Sequence, residues 1–598
     1  MMKRPQLGRV LKAMPPGAPA VAAFLLLSVL TLWPSVRHPG RAVAGWEGDN
    51  LFCIRQMWWM KHALLDLHTS PFFDPNSYYP AGYDIAHGAF FPANTLLGLP
   101  LTALFGPVAG YNMMLLLSFF LTAAGAYLWV SRLTSSRTAG FAAGVIAGWL
   151  PYRFAHITGH MHMMTTQWIV LTLYAFEKFR ERPRLGRGVL LGLAAGLVVL
   201  SDWYYGYSAA LLLPLYGLIR TRPWRAFWRQ AAVWKGLAAA GAAGLAVVIP
   251  FVIPYARLMA GGGLSRSIEE MESWSMNFYA FLAPNLVHPL WGAVLAPLFP
   301  RQASLWVEHG VTLGYIALGF AVAGYLHRRR SPAVAAWAAV WIVSYLIALG
   351  PTLHALDRQV LLPLPEFASQ VLAKFAGLFP SLEGIRNGIL TGQAAPVPLP
   401  SFFLYLFVPL TRGMRVMSRF GVWTGLMTAA LAGLGVQAFL ERLSRRRPGR
   451  VLRVTLLAVV AVLVVFESWR SVPYLSVRPR KVDLWLSRQA SDTVIVELPV
   501  EQALRPFQDY YQTVHQRATV FGPVSDSFFP AERIEREKIL RDFPSPASLA
   551  ALRSWGVTYV LLTPSRIPDW RRLRARVEAG PGLRLRKVLR GVWVYGLE

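Results

Sequence analysis

The chain has 598 residues, of which 55% are hydrophobic and 15% are charged. This composition excludes an ordinary soluble enzyme, and apolar blocks of about twenty residues are typical of membrane-crossing helices. The net charge of +30 does not indicate a nucleic-acid partner, because many basic residues form short runs between the apolar blocks, such as the arginine triplets at 328–330 and 445–447. Cys53 is the only cysteine, which excludes an intramolecular disulfide and a cysteine-based metal or redox site.

Eleven apolar stretches predict membrane-spanning helices, near residues 17–34, 111–130, 138–151, 163–179, 188–200, 204–218, 237–254, 311–326, 333–350, 422–439 and 451–466. Basic residues collect in alternate loops between these stretches, which indicates one threading with a cytoplasmic N-terminus. An odd number of spans then places the C-terminus outside. The many arginines, alanines and glycines suggest a bacterial source, so we expect a multi-pass protein of the bacterial cytoplasmic membrane.

Three outward-facing loops are long, at 35–89, 255–309 and 351–421. Functional residues usually lie on such loops, so we expect a catalytic or binding site there. In the first loop, residues 51–67 interleave aromatic and basic side chains, a pattern that suits a helix lying at the membrane interface.

The sequence pattern changes from about residue 492. Alternating apolar residues predict strands at 494–498, 519–521, 558–562 and 592–595, with helices near 531–542 and 546–555 between them. The sequence therefore predicts a membrane domain at 1–470 and a small α/β domain at 471–598 on the outer face.

Two carboxylates open the first outer loop, in the segment Gly45-Trp46-Glu47-Gly48-Asp49-Asn50. The intervening glycine allows a tight turn, so both side chains could point at one site. Such a pair could act as a general base or hold a divalent cation. The alternative is a helix start at which Asp49 or Asn50 is the N-cap.

A second candidate group follows the third predicted span. His156 and His160 have helical spacing and could bind a metal, although hydrogen-bonded structural histidines are more common at this depth. Arg153, at the bilayer edge, suggests an anion such as a lipid phosphate, with ordinary headgroup contact as the alternative.

Other ionisable and aromatic groups are predicted at the same outer level. An aspartate close to the apolar layer costs free energy unless it is paired, which makes it a site candidate. Brought together, these groups would line one outward-facing cavity suited to a phosphorylated lipid and a sugar. They are Asp202, Tyr204, Tyr205, Glu308, His309, Arg415 and Arg419.

These motifs resemble the superfamily of integral membrane glycosyltransferases with the GT-C fold. The resemblance rests on Glu47-Gly48-Asp49 after the first span and on the segment 51–67, and it extends through the motifs at 76–82, 109–112, 151–153 and 415–420. It implies a polytopic helical fold that takes a sugar from a polyprenyl-phosphate donor.

The resemblance also implies roles for particular residues. Asp49 would be the catalytic base of an inverting displacement, with Glu47 assisting it or binding Mg²⁺ or Mn²⁺. Arg153, Arg415 or Arg419 would stabilise the departing phosphate. The implied partners are a polyprenyl-phosphate sugar, a glycan, lipid or protein acceptor, and membrane lipid. The alternatives are a flippase for lipid-linked glycans, a glycan polymerase or ligase, and an assembly protein.

Overall fold

The computed structural model describes residues 17–88, 91–260, 265–444, 449–500, 505–523 and 531–598, and these residues are mostly helical. The arginine triplet at 445–447 lies outside the described residues. The chain divides into two compact units. The first consists of Met1–Trp33, Leu115–Ile253 and Leu264–Val472, and the second of Pro34–Met114, Pro254–Gly263 and Pro473–Glu598. The second unit therefore combines most of the first outer loop with the C-terminal region.

Each of the eleven predicted spans coincides with a helix. The main helices of the first unit are Ala18–Thr31, Arg137–Gly148, Pro151–His156, Gln167–Glu181, Leu185–Ser201, Trp203–Arg220, Ile268–Ser273, Tyr315–Arg328, Pro332–Ala348, Glu366–Ala376, Glu383–Gly392, Pro400–Phe407, Gly421–Ser444 and Arg450–Ser468. Two long helices, Pro107–Thr134 and Ala231–Ala260, have residues in both units.

Four helices in the described part of the chain are long and apolar enough to cross a membrane: Pro107–Thr134, Ala231–Arg257, Met417–Leu443 and Val451–Ser468. Ala18–Thr31, Leu185–Ser201 and Pro332–Ala348 are apolar but shorter. The predicted count of eleven spans stays a prediction.

Close helix contact at small residues holds the first unit together. A Cβ on Gly324 would overlap the carbonyl oxygen of Leu431, and a Cβ on Gly435 would overlap that of Phe320. The helices Tyr315–Arg328 and Gly421–Ser444 therefore approach each other at backbone distance, as small residues allow in membrane proteins.

A buried ion pair joins two further helices of this unit. The Nε and Nη2 atoms of Arg220 donate to the two carboxylate oxygens of Glu177 over 2.6 and 2.8 Å, and the hydroxyl of Tyr216 donates over 2.6 Å. The Glu177 side chain is fully buried. The charge of Arg220 therefore ties two helices of this unit together.

In the second unit, a five-stranded sheet has helices packed against it. Its strands lie in the order Ala518–Thr519, Val494–Leu498, Tyr559–Leu562, Val592–Leu597 and Leu583–Leu589. The first three strands are parallel, and Val592–Leu597 pairs antiparallel with both Tyr559–Leu562 and Leu583–Leu589. The predicted strands are present, and Leu583–Leu589 had not been predicted. The accompanying helices are Lys481–Leu486, Arg505–His515, Ala531–Leu540, Pro546–Ser554 and Trp570–Ala579.

The helix Asp49–Lys61 corrects one expectation. Met57 and Trp59 are buried, and Arg55 is fully buried, so this segment is a core element rather than a helix lying on lipid. It packs against the helix Arg505–His515 of the same unit. Arg55 donates to Gln512 over 2.9 Å and forms an ion pair with Asp74, which explains its burial.

Candidate active site

Two histidines meet near the end of a short helix in the first unit. His156 is the last residue of Pro151–His156, and His160 follows after a turn, so they do not share a continuous helix as their spacing suggested. Their Nδ1 atoms are nevertheless 2.9 Å apart. The ring of Tyr152 lies 4.2 Å from the ring of His156. His156 is fully buried, so this pair has a fixed geometry.

Glu308 and Arg419 form the charged centre of the cluster. The guanidinium donates from Nη2 to Oε1 over 2.6 Å and from Nε to Oε2 over 3.0 Å, a bidentate pair. His160 Nδ1 lies 3.9 Å from Glu308 Oε1, which places the carboxylate beside the two histidines. Ligand atoms of His156, His160 and Glu308 all lie within 4.8 Å of one another.

Asp202 and the neighbouring tyrosines form the adjoining wall. Asp202 joins two helices and accepts from the backbone N–H of Tyr204 over 2.7 Å, so it is an N-cap. Its Oδ2 lies 3.8 Å from Nε2 of His162. The Arg419 guanidinium lies 4.6 Å above the Tyr204 ring. Tyr205 is buried, and its hydroxyl donates to the Met163 carbonyl over 2.5 Å.

Small exposed fractions show that this cluster is not sealed. The side chains of Glu308, Arg419, Asp202 and His160 are 8%, 13%, 11% and 17% exposed. A ligand group could therefore reach them with little rearrangement, whereas Glu177 is fully buried. We call His156, His160, Asp202, Glu308 and Arg419 the polar cluster.

Burial and pairing set the charges of the polar cluster. Burial raises the pKa of Asp202 to about 6, although Arg419 works in the opposite direction. Burial favours the protonated form of Glu308, but Arg419 outweighs it and holds the pKa of that carboxyl well below its usual range. Burial also lowers the pKa of His156. At neutral pH the polar cluster therefore contains two carboxylates, one guanidinium and a neutral His156.

Arg153 lies elsewhere than expected. It is fully buried, and its guanidinium donates to Ser118 over 3.0 Å, to Thr122 over 3.2 Å and to the Met164 carbonyl over 2.7 Å. The expectation that it faces a lipid phosphate at the bilayer edge is corrected, because polar atoms of the protein enclose its charge.

Arg415 is the more open arginine of its motif. Its side chain is 25% exposed, and Nη1 lies 3.5 Å from Oε1 of Glu270. The backbone N–H groups of Arg415 and Val416 donate to the Tyr204 hydroxyl over 3.0 and 3.2 Å, which places Arg415 next to the polar cluster. Sequence reasoning singled out the loop 255–309 but missed Glu270 within it, because no local motif marks this residue.

The side chain of His309 lies outside the polar cluster that contains its neighbour Glu308. Its Nε2 is 3.2 Å from the Trp274 carbonyl, and it lines a separate cavity with Asn285 and Trp306. Burial lowers its pKa to about 4. His309 is therefore neutral at physiological pH.

Glu47 and Asp49 belong to the second unit, and both side chains are exposed. The helix begins at Asp49 with Gly48 as its N-cap, so neither Asp49 nor Asn50 caps it. The buried side chain of Asn50 accepts from the Tyr111 hydroxyl over 2.6 Å and donates to the Trp46 carbonyl over 3.2 Å. These bonds fix the segment that presents the two carboxylates.

A family model described as "Domain of unknown function (DUF6311)" matches residues 57–377, more than half of the chain. The chain belongs to the DUF6311 family. The matched part of this DUF6311 protein contains His156, His160, Asp202 and Glu308, whereas Asp49 and the arginine motif at 415–419 lie outside it. No curated protein matches the sequence.

Solved structures similar to the DUF6311 protein are GT-C glycosyltransferases. The arabinofuranosyltransferase AftD from Mycobacteria is 15% identical with a TM-score of 0.51, over 97% of this chain and 39% of that one. The apo oligosaccharyltransferase of Archaeoglobus fulgidus is 15% identical with a TM-score of 0.47, over 91% of this chain and 69% of that one. ArnT from Cupriavidus metallidurans, bound to undecaprenyl phosphate, is 13% identical with a TM-score of 0.40, over 97% of this chain and 98% of that one. The likeness to AftD confirms the resemblance to the GT-C superfamily at the level of fold.

Proposed function

We propose that this protein is a membrane glycosyltransferase that moves a sugar from a polyprenyl-phosphate donor to an acceptor at the outer face of the bacterial cytoplasmic membrane. The supporting observation is the likeness in fold to AftD, over 97% of this chain at a TM-score of 0.51. Eleven spans, a cytoplasmic N-terminus and an extracytoplasmic region at 471–598 belong to the same proposal. A fold does not specify chemistry, so the reaction is argued from side chains.

Asp49 is the proposed base. Its carboxylate is exposed in the first turn of a helix whose entry is fixed by Asn50. It accepts the proton of the acceptor hydroxyl while the acceptor oxygen attacks the anomeric carbon. The bond from that carbon to the phosphate oxygen breaks on the opposite face, so the configuration inverts and the polyprenyl phosphate departs with the electron pair. Glu47 assists by orienting the acceptor.

Arg415 is the proposed contact for the departing phosphate. Its guanidinium is 25% exposed, whereas Arg419 is bound bidentately by Glu308 and Arg153 is enclosed. A guanidinium that meets phosphate oxygens stabilises the charge that develops on them. The exposed edge of Arg415 supports this assignment over the other two arginines.

A divalent cation is a further part of the proposal. Glu47 and Asp49 offer the oxygen ligands that Mg²⁺ or Mn²⁺ prefers. His156, His160 and Glu308 offer a second, nitrogen-rich group that favours Zn²⁺. His156 fits because burial keeps it neutral, but Glu308 fits only if Arg419 releases it. Metal analysis of the purified protein, before and after chelation, distinguishes the two groups by the identity of the bound ion: Mg²⁺ or Mn²⁺ for the carboxylate pair, and Zn²⁺ for the histidine group.

The decisive experiment is transfer from a labelled polyprenyl-phosphate sugar by purified protein in detergent. Asp49→Asn should lower the rate by about 10²–10⁴-fold, the usual contribution of a general base. Asp66→Asn is a matched control, because Asp66 lies in the same loop and makes a partly exposed ion pair with Lys61. Its rate should stay near that of the wild type. An Asp49→Asn protein that turns over normally would exclude Asp49 as the base.

The same labelled donor separates the alternatives. A flippase would move the intact donor across proteoliposomes without cleaving the sugar–phosphate bond. A glycan polymerase or ligase would accept only a donor that carries an oligosaccharide. Transfer of a single sugar from the donor supports the glycosyltransferase proposal over both.

A further inference from the structure

The helix Glu366–Ala376 of the first unit carries an exposed apolar stripe. Phe367 is 79% exposed, Val371 50%, Phe375 46% and Leu378, just beyond the helix, 72%. Spacings of four, four and three residues place these side chains on one helical face. Four large apolar side chains exposed in a row are more than the scattered surface residues of a soluble protein.

The buried face of the same helix is made of small residues. Ser369, Ala373 and Ala376 face the protein. A helix on the surface of a soluble domain normally does the reverse and turns its large apolar side chains toward the core. The helix Glu366–Ala376 therefore contacts the rest of its unit through small residues and turns its large apolar side chains outward.

Aromatic contacts connect this stripe to a short helix that packs against a helix predicted to span the membrane. The rings of Phe375 and Phe379 are 5.5 Å apart, and those of Phe379 and Phe407 are 5.9 Å apart. Phe407 is 60% exposed and ends the helix Pro400–Phe407, which packs against the apolar helix Pro332–Ala348. Apolar ring contacts and helix packing thus link the stripe to a candidate bilayer helix.

A polar stripe beside the apolar one completes the pattern. Glu366, Gln370 and Lys374 are exposed and follow one another at four-residue spacing. We propose that Glu366–Ala376 lies in the lipid interface, with Phe367, Val371, Phe375 and Leu378 among the acyl chains and the polar stripe at headgroup level. The long loop at 351–421 is then partly a membrane-embedded element and not a purely aqueous one.

Site-directed fluorescence in the full chain tests this placement. The only cysteine, Cys53, is buried, so Cys53→Ala provides a background for single labels. An environment-sensitive fluorophore is attached to Phe367→Cys, to Leu378→Cys and, as the control on the same surface, to Gln370→Cys. The protein is placed in phosphatidylcholine–phosphatidylglycerol nanodiscs that contain lipids with spin-labelled acyl chains, and aqueous iodide serves as the opposing quencher.

The Phe367→Cys and Leu378→Cys labels should be quenched by the spin-labelled lipid at least about twofold more than the Gln370→Cys label, with iodide giving the reverse order. Equal iodide quenching of all three labels would place the helix in water and overturn the proposal. Stripe labels shielded from both quenchers would indicate a protein partner or a second copy, and would overturn it as well.

Discussion

Variants of the pair Glu308–Arg419 test whether each buried charge of the pair needs the other for the stability of the fold. Both side chains are nearly buried, at 8% and 13% exposed, and two hydrogen bonds of 2.6 and 3.0 Å join them. Breaking a buried pair by removing one partner costs about 3–5 kcal/mol, because the other charge stays uncompensated. Glu308→Gln and Arg419→Met should each lower the free energy of unfolding by about that amount.

The double variant should behave differently. With both charges removed, neither residue of the pair leaves the other's charge uncompensated, so the cost should fall to about 1–2 kcal/mol, from the lost contacts of Arg419 with the Tyr204 ring and with Asp202. The coupling free energy of the cycle isolates the pair. Titration of the purified protein in mild detergent micelles with a denaturing detergent, followed by tryptophan fluorescence, measures all three unfolding free energies.

A partly exposed pair in the same unit provides the control. Arg132 and Glu181 are also joined bidentately, but their side chains are 35% and 32% exposed. Glu181→Gln should therefore cost only about 0–1 kcal/mol. Costs of Glu308→Gln and Arg419→Met that simply add in the double variant would refute the reasoning, since additivity means that neither residue depends on the other.

Three further outcomes are expected. The folded state holds the Asp202 proton more tightly than the unfolded chain does. The free energy of unfolding should therefore fall by on the order of 3 kcal/mol as the pH rises from about 4 to about 6. Asp202→Asn preserves the N-cap and should remove this pH dependence when unfolding is measured in detergent. Gly324→Ala should destabilise by about 1–3 kcal/mol through overlap, whereas Gly319→Ala, with open space around it, should be neutral or slightly stabilising in the same measurement. Asp74→Asn should cost about 3 kcal/mol, because it leaves the buried Arg55 charge with only the Asp509 carboxylate, 3.9 Å away, and protease sensitivity of the second unit should rise with it; unchanged proteolysis would contradict this.

Hydrophobic runs predicted the helices well because membrane helices are long and internally hydrogen-bonded, so local composition nearly specifies them. The strands and the packing of the second unit were harder to predict from the sequence. The strand Leu583–Leu589 was missed because a bulge between Leu585 and Lys587 interrupts its alternation, and a pattern with period two is then lost. The burial of the segment after Asp49 was also missed, since its partner helix Arg505–His515 lies more than 400 residues away in sequence.

In the candidate site, too, local sequence predicted some features and could not predict others. Local sequence marked Glu308, Arg419 and Asp202 as ionisable groups near an apolar layer, and the structure brings these three together. Local sequence could not show that Ser118 and Thr122 enclose Arg153, because these residues lie more than 30 positions away on another helix. An arginine near the bilayer edge has the same local pattern whether it faces lipid or other polar side chains.

Two buried charge networks in the first unit differ in how their carboxylates are stabilised. In the Glu177–Arg220 pair, the carboxylate is fully buried and accepts from Arg220 and from the Tyr216 hydroxyl, so it is a closed structural link. In the polar cluster, Asp202 accepts from the backbone N–H of Tyr204 and lies 3.8 Å from the buried His162. The backbone N–H of Tyr205 and the charge of Arg419 also favour its ionised form, yet burial outweighs them and raises its pKa. A carboxylate kept at an energetic disadvantage and 11% exposed does not maximise stability, and such perturbed groups concentrate at functional sites. The polar cluster, and not the Glu177–Arg220 pair, is therefore the part of the first unit that we propose as a binding site for a polar ligand.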